Sequence, residues 1–221
     1  MHNLDIHRVP FVVLMFSATL ALLVCAGCGT TDAATQDDAP LGLVEGEYSP
    51  EELEDMIRAW PKKPRAVARR MLEKHGSPHG VTHDMVVWKN AGQWLRTVVY
   101  RRPVVHEFPY RHQDCLQQSI RYQIPAERID DIVRFSGSII YDRTAGILSS
   151  RCNSEAMNTL AINLVHRIID DGMSVEQARE EFEEIGSALR KGERPLMTRS
   201  LRFAQAREDT GDRDEVSEGG S

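Results

Sequence analysis

No apolar run in the sequence reaches the roughly 20 residues that a membrane-spanning helix needs. With 27% of its 221 residues charged, the chain is not a polytopic membrane protein. Aromatic residues are scarce, at 6%. Cysteines number four, Cys25, Cys28, Cys115 and Cys152. The catalytic signatures that announce themselves in sequence are also missing. There is no Gly-x-Ser-x-Gly elbow, no phosphate loop, no dinucleotide fingerprint and no His-Glu-x-x-His. Acidic pairs such as Asp130 with Asp131 and Glu183 with Glu184 fall in helical segments, where solvated acids are usual. The sequence therefore reads as a non-catalytic protein, with no cofactor assigned. Its 41% hydrophobic content excludes wholesale disorder.

What is present begins at the N-terminus. Arg8 precedes an almost wholly apolar stretch from Val9 to Val24, shorter than a membrane span and of the length of an export signal. Val24, Cys25, Ala26, Gly27 and Cys28 follow. This run resembles the lipobox of bacterial lipoproteins, although Cys25 stands where Leu is usual. The resemblance implies that residues 1–27 are a signal peptide, that Cys28 is the lipid-attachment site, and that the protein is an exported, membrane-anchored lipoprotein of the cell envelope. Acylation of a cysteine by several chains gives anchoring that one chain does not. Gly29 after the acylated cysteine implies the outer membrane. Residues 28–48, small and polar, read as a flexible tether.

Residues 49–192 read as one α+β domain, with two β-hairpins packed on helices and a C-terminal αα-hairpin. Ser49, Pro50 and Glu52 form a helix-start signal, and a second helix from Pro64 ends at Gly76. Met85–Trp88 and Trp94–Tyr100 flank a Gly-containing turn, which predicts the first hairpin; the second runs from Ser138 to Cys152 around Thr144 to Gly146. The stretch from Cys115 to Ile124 fits either a strand or a short helix. Met157, Leu160, Ala161, Leu164, Val165 and Ile168 recur at helical spacing, and a second helix begins at Ser174 with Gln177 closing its capping box. Residues 193–221 are polar and read as a largely disordered tail.

Three constellations carry chemistry. Cys115 and Cys152, alone in an exported body, are a candidate disulfide worth about 4 kcal/mol by loop closure; two buried free thiols are the other reading. His75, His79, His83, His106 and His112, with Asp114, supply metal-ligand types, but Gly76, Pro78 and Gly80 interrupt any shared helix, so ligation needs loop residues to converge. Finally, the segment 58–102 holds eleven Lys and Arg against two acids, together with Trp60, Trp88 and Trp94. In an exported protein that mixture excludes nucleic acid and suits anionic glycans or lipids.

From Ser49 to Arg190 the chain resembles a family of uncharacterised bacterial exported proteins, through Trp88 to Trp94, Ser150 to Asn158 and Leu160 to Leu164. A helix followed by a Gly/Pro turn and a Trp-bearing hairpin also resembles small outer-membrane assembly lipoproteins. Neither resemblance implies a catalytic residue. The expected role is a lipid-anchored binding or structural module whose partner is the membrane and an envelope protein or anionic glycan. The alternatives are a metal-binding protein or metal-dependent hydrolase using the histidines, and a binder of anionic glycans or lipids through 58–102.

Overall fold

The computed structural model describes residues 44–46 and 48–214. The signal segment, Cys28 and most of the tether lie outside the described residues. In chain order the elements are β1 (Val44–Glu45), α1 (Pro50–Ile57), α2 (Lys62–His75), β2 (Gly80–Val81), β3 (Met85–Ala91), β4 (Trp94–His106), β5 (His112–Arg121), α3 (Ile129–Phe135), β6 (Ile139–Asp142), β7 (Ile147–Cys152), α4 (Glu155–Ile169) and α5 (Val175–Arg190). The seven strands form one antiparallel sheet in the order β1-β2-β3-β4-β5-β7-β6. The fold is α+β, as the sequence pattern requires. Both predicted hairpins form, β3–β4 and β6–β7, and α4–α5 is the αα-hairpin. The undecided stretch after Cys115 belongs to β5.

Local chemistry explains the boundaries. Ser49 and Glu52 close a reciprocal capping box at α1, and Ser174 with Gln177 does the same at α5. Ser154 caps α4 by accepting from the Met157 amide. Pro125 and Pro195 precede short 3-10 turns.

Register places the core. Val86, Val99, Leu116 and Cys152 are successive cross-strand partners in β3, β4, β5 and β7, so their side chains share one face. Trp88, Thr97, Gln118, Ser150 and Ile139 form the next row on that face. Helix α2 packs on the β3–β5 portion and α4 on the β5–β7 portion. Two apolar clusters result. One joins Leu53, Ile57, Trp60, Val67 and Met71 to Val86 and Trp88; the other joins Leu160, Leu164, Ile168 and Phe182 to Ile120, Leu148 and Phe135.

Three expectations need correction. The end of the supposed tether is strand, because Val44 and Glu45 pair with Val81 and Gly80. Within the described residues, the segment read as a tail packs on the domain. Buried Asn163 donates Nδ2 to the carbonyls of Met197 and Ser200 at 2.9 and 3.0 Å and accepts the Arg202 amide at 2.8 Å. Phe203 stacks on His166 at 4.2 Å. Thr210 Oγ1 donates to the Gly146 carbonyl at 2.7 Å, so close that a Cβ on Gly146 would lie 2.2 Å from Thr210 backbone. A segment with few apolar residues is thus held by side-chain amides and by Met197, Leu201 and Phe203 packed against the main core. Thirdly, Cys115 and Cys152 are free and buried. Cys152 pairs with Leu116, one residue out of register with Cys115, and a one-residue offset turns neighbouring side chains to opposite faces of a sheet.

Candidate metal centre

The end of the β4–β5 hairpin gathers the polar side chains that the sequence left scattered. His106 and His112 are cross-strand partners on either side of the 107–111 turn, so both point to the same face. Asp114 lies two residues beyond His112 and shares that face by the strand period of two. One ligand atom from each of the three lies within 4.8 Å of the other two.

The carboxylate is the centre of the group. Its side chain is 5% exposed, as is that of His112. Asp114 Oδ2 lies 3.2 Å from His106 Nδ1 and accepts the Ser138 hydroxyl at 2.8 Å; Ser138 Oγ is also 2.9 Å from His106 Nδ1. Oδ1 lies 2.8 Å from His112 Nε2, an ion pair when that ring is protonated, and this buried oxygen has no other partner. His112 Nδ1 is 2.6 Å from the Tyr110 carbonyl oxygen. A backbone carbonyl there takes the Nδ1 proton, so Nε2 faces the carboxylate, as a donor when the ring is protonated and as a lone pair once a cation replaces that proton. Cys152 Sγ approaches the same Nε2 at 3.4 Å.

The electrostatics follow from burial and from Asp114. Burial opposes charge on His112, but the Asp114 contact, the Tyr110 carbonyl and the Asp114 charge outweigh it and raise the pKa. At His106 burial prevails over the Asp114 charge and lowers it. Burial and then the Asp114 charge push the Cys152 thiol far up, so it is not an activated nucleophile. A Cys–His–Asp hydrolytic triad also needs the thiol and the carboxylate on opposite ring nitrogens; here both face Nε2. Two imidazoles around a buried carboxylate do suit a transition-metal ion. Zn–N and Zn–O bonds near 2.1 Å place tetrahedral ligand atoms about 3.4 Å apart; here the imidazole nitrogens lie 3.2 and 2.8 Å from the two oxygens of Asp114, within a set that spans up to 4.8 Å.

The 107–111 turn is clamped onto α5. Phe108 stacks on Phe182 at 5.6 Å between centroids. Arg179 Cζ lies 3.7 Å from the Phe108 ring centre, and Arg190 Cζ 3.9 Å from that of Tyr110. Arg179 also donates to the Phe135 carbonyl at 2.6 Å.

The remaining histidines stand apart from this cluster. His75 Nε2 meets Glu155 Oε2 at 3.2 Å, His79 Nδ1 accepts the Lys89 amide, and exposed His83 lies beside Arg101 and Asp84. Trp60, Trp88 and Trp94 are 4%, 0% and 1% exposed. Trp88 Nε1 donates to the Gly76 carbonyl and Trp94 Nε1 to Glu155 Oε1, each at 2.9 Å. The basic segment 58–102 therefore offers charge without exposed tryptophan faces, which removes the tryptophan stacking from the glycan and lipid reading.

Compared with known protein families, curated proteins and solved structures, the chain matches none. The sequence resemblances rest on the residues quoted for them alone. Among the described residues no helix is long and apolar enough to cross a membrane.

Proposed function

We propose that the domain is a transition-metal-binding module of the cell envelope, with His106, His112 and Asp114 as metal ligands, and that Cys28 anchors it to a membrane through lipid. One observation carries the metal reading: Asp114 holds two imidazoles, His106 at 3.2 Å and His112 at 2.8 Å, in a cluster whose ligand atoms all lie within 4.8 Å of one another. In the neutral ring the His112 Nε2 lone pair and the Asp114 oxygen face each other at 2.8 Å, and a cation is the partner that both accept together. The depth of Asp114 and His112 favours a binding or structural role over hydrolysis, which needs a coordination position open to water. The anchor is supported by the apolar run to Val24 and by Ala26, Gly27 and Cys28.

Elemental analysis of purified full-length protein after exposure to zinc tests the metal reading. One equivalent is expected, lost on His112→Ala or Asp114→Ala. Protein that stays metal-free would overturn it. Intact-mass measurement of membrane-extracted protein tests the anchor: an acylated chain beginning at Cys28 is expected, and a retained initiator methionine would refute it.

A further inference from the structure

Cys152 is the side chain at this site that the three-ligand reading leaves without a task. It ends β7 immediately before Asn153 and the Ser154 cap of α4. Its cross-strand partner is Leu116, two residues beyond Asp114 and on the same face, so the sheet aims the thiol diagonally toward the carboxylate. Sγ lies 3.4 Å from His112 Nε2, and a tetrahedral site with Zn–S of 2.3 Å and Zn–N near 2.1 Å separates those atoms by about 3.6 Å. The residue is 4% exposed. No disulfide partner competes for it.

We infer that Cys152 is the fourth ligand, so that the site is a closed Cys-His-His-Asp centre selective for thiophilic ions of the zinc class. This rests on the metal reading above and narrows it. A thiolate ligand disfavours magnesium, calcium and manganese, and four protein ligands leave no position for a reacting water. On loading, the Cys152 S–H bond breaks, the proton leaves to solvent and the sulfur lone pair forms the metal bond. The proton released makes affinity rise with pH. Coordination joins the β4–β5 hairpin end to the β7–α4 junction.

Cobalt-loaded full-length protein tests this directly. A thiolate-to-cobalt charge-transfer band is expected, absent in Cys152→Ser and retained in Cys115→Ser. Cys152→Ser is expected still to bind zinc, more weakly by at least the roughly 100-fold that loss of an outer-shell partner can cost. One bound cobalt without a thiolate band would overturn the role of Cys152 and leave the three-ligand reading standing; a protein that binds no cobalt or zinc overturns both. X-ray absorption on zinc-loaded wild type needs no variant to fold. One sulfur at about 2.3 Å is expected, and a shell of nitrogen and oxygen alone refutes the assignment.

Discussion

Trp94 donates its indole N–H to Oε1 of Glu155 at 2.9 Å, tying the tip of the first hairpin to the first turn of α4. Lys74 Nζ reaches the same oxygen at 2.9 Å, and His75 lies on the other. Burial would raise the Glu155 pKa, but Trp94, Lys74 and His75 outweigh it and hold it below the usual carboxylate range.

A lowered folded-state pKa means that the Glu155 contribution is present above the unfolded value, about 4.3, and is lost as pH falls through the lower folded one. Glu155→Gln should destabilise the protein at neutral pH by about 2 kcal/mol. Its stability should then fall less steeply in acid than that of wild type. Urea unfolding between pH 7 and pH 3 checks this, and parallel pH profiles would refute the linkage.

Asn163→Ala should free the C-terminal segment. The change removes two donated bonds and one accepted bond from a buried side chain, a loss of about 2–3 kcal/mol. Limited proteolysis should cut first within residues 196–205, a region that stays resistant in wild type. Equal resistance of both proteins would count against the segment being held through Asn163.

Ser138→Ala deletes the hydroxyl that orients His106 and Asp114 without altering a ligand. Supporting groups of this kind contribute about 10- to 100-fold in metal affinity. Competition against a zinc chelator should reveal that loss, with Cys115→Ser as an unaffected control. Unchanged affinity would place the ion elsewhere.

Gly186 on α5 faces the clamped turn. A Cβ there would meet the flexible end of Met157 at 3.3 Å and Pro109 at 3.8 Å. Gly186→Ala should be neutral or stabilising by up to about 1 kcal/mol, through helix propensity. Gly186→Leu should destabilise by about 1–3 kcal/mol, because the turn must lift off α5. Thermal melts decide between the two signs.

Burial should shield both thiols of the folded domain. Cys115, whose pKa burial raises to about 11, and Cys152 should resist alkylation in native protein. Both should react in denaturant without reductant. A protein that needs reductant first would contain the bridge after all.

Much of this architecture is written locally. The capping boxes at Ser49 and Ser174, the Gly-bearing hairpin turns and the stripe through Leu160 and Leu164 all act within a few residues, so their elements can be read from sequence. The α+β class follows from them. The site is only half legible. His112 and Asp114 stand two apart, as one strand face requires, but placing His106 opposite His112 needs the register of a hairpin whose turn, 107–111, carries no Asn-Gly signal. Cys152 and Ser138 join through the pairing of β5 with β7, which skips a strand in sequence. The same long-range pairing sets the thiols out of step. The C-terminal segment escaped a reading based on composition because a few separate apolar side chains, Met197, Leu201 and Phe203, and bonds to the amides of Asn163 and Gln93 secure it.

The offset of Cys115 and Cys152 leaves the described residues without a permanent cross-link. A Cys152–metal–His106 link would close much the same stretch of chain by coordination, and that closure can be undone. Firmness of the domain would then track the zinc supply around it: rigid where the ion is plentiful, loosened at the hairpin end and the α4 junction where scavengers strip it. Its lifetime among proteases would then report metal status without any catalytic step.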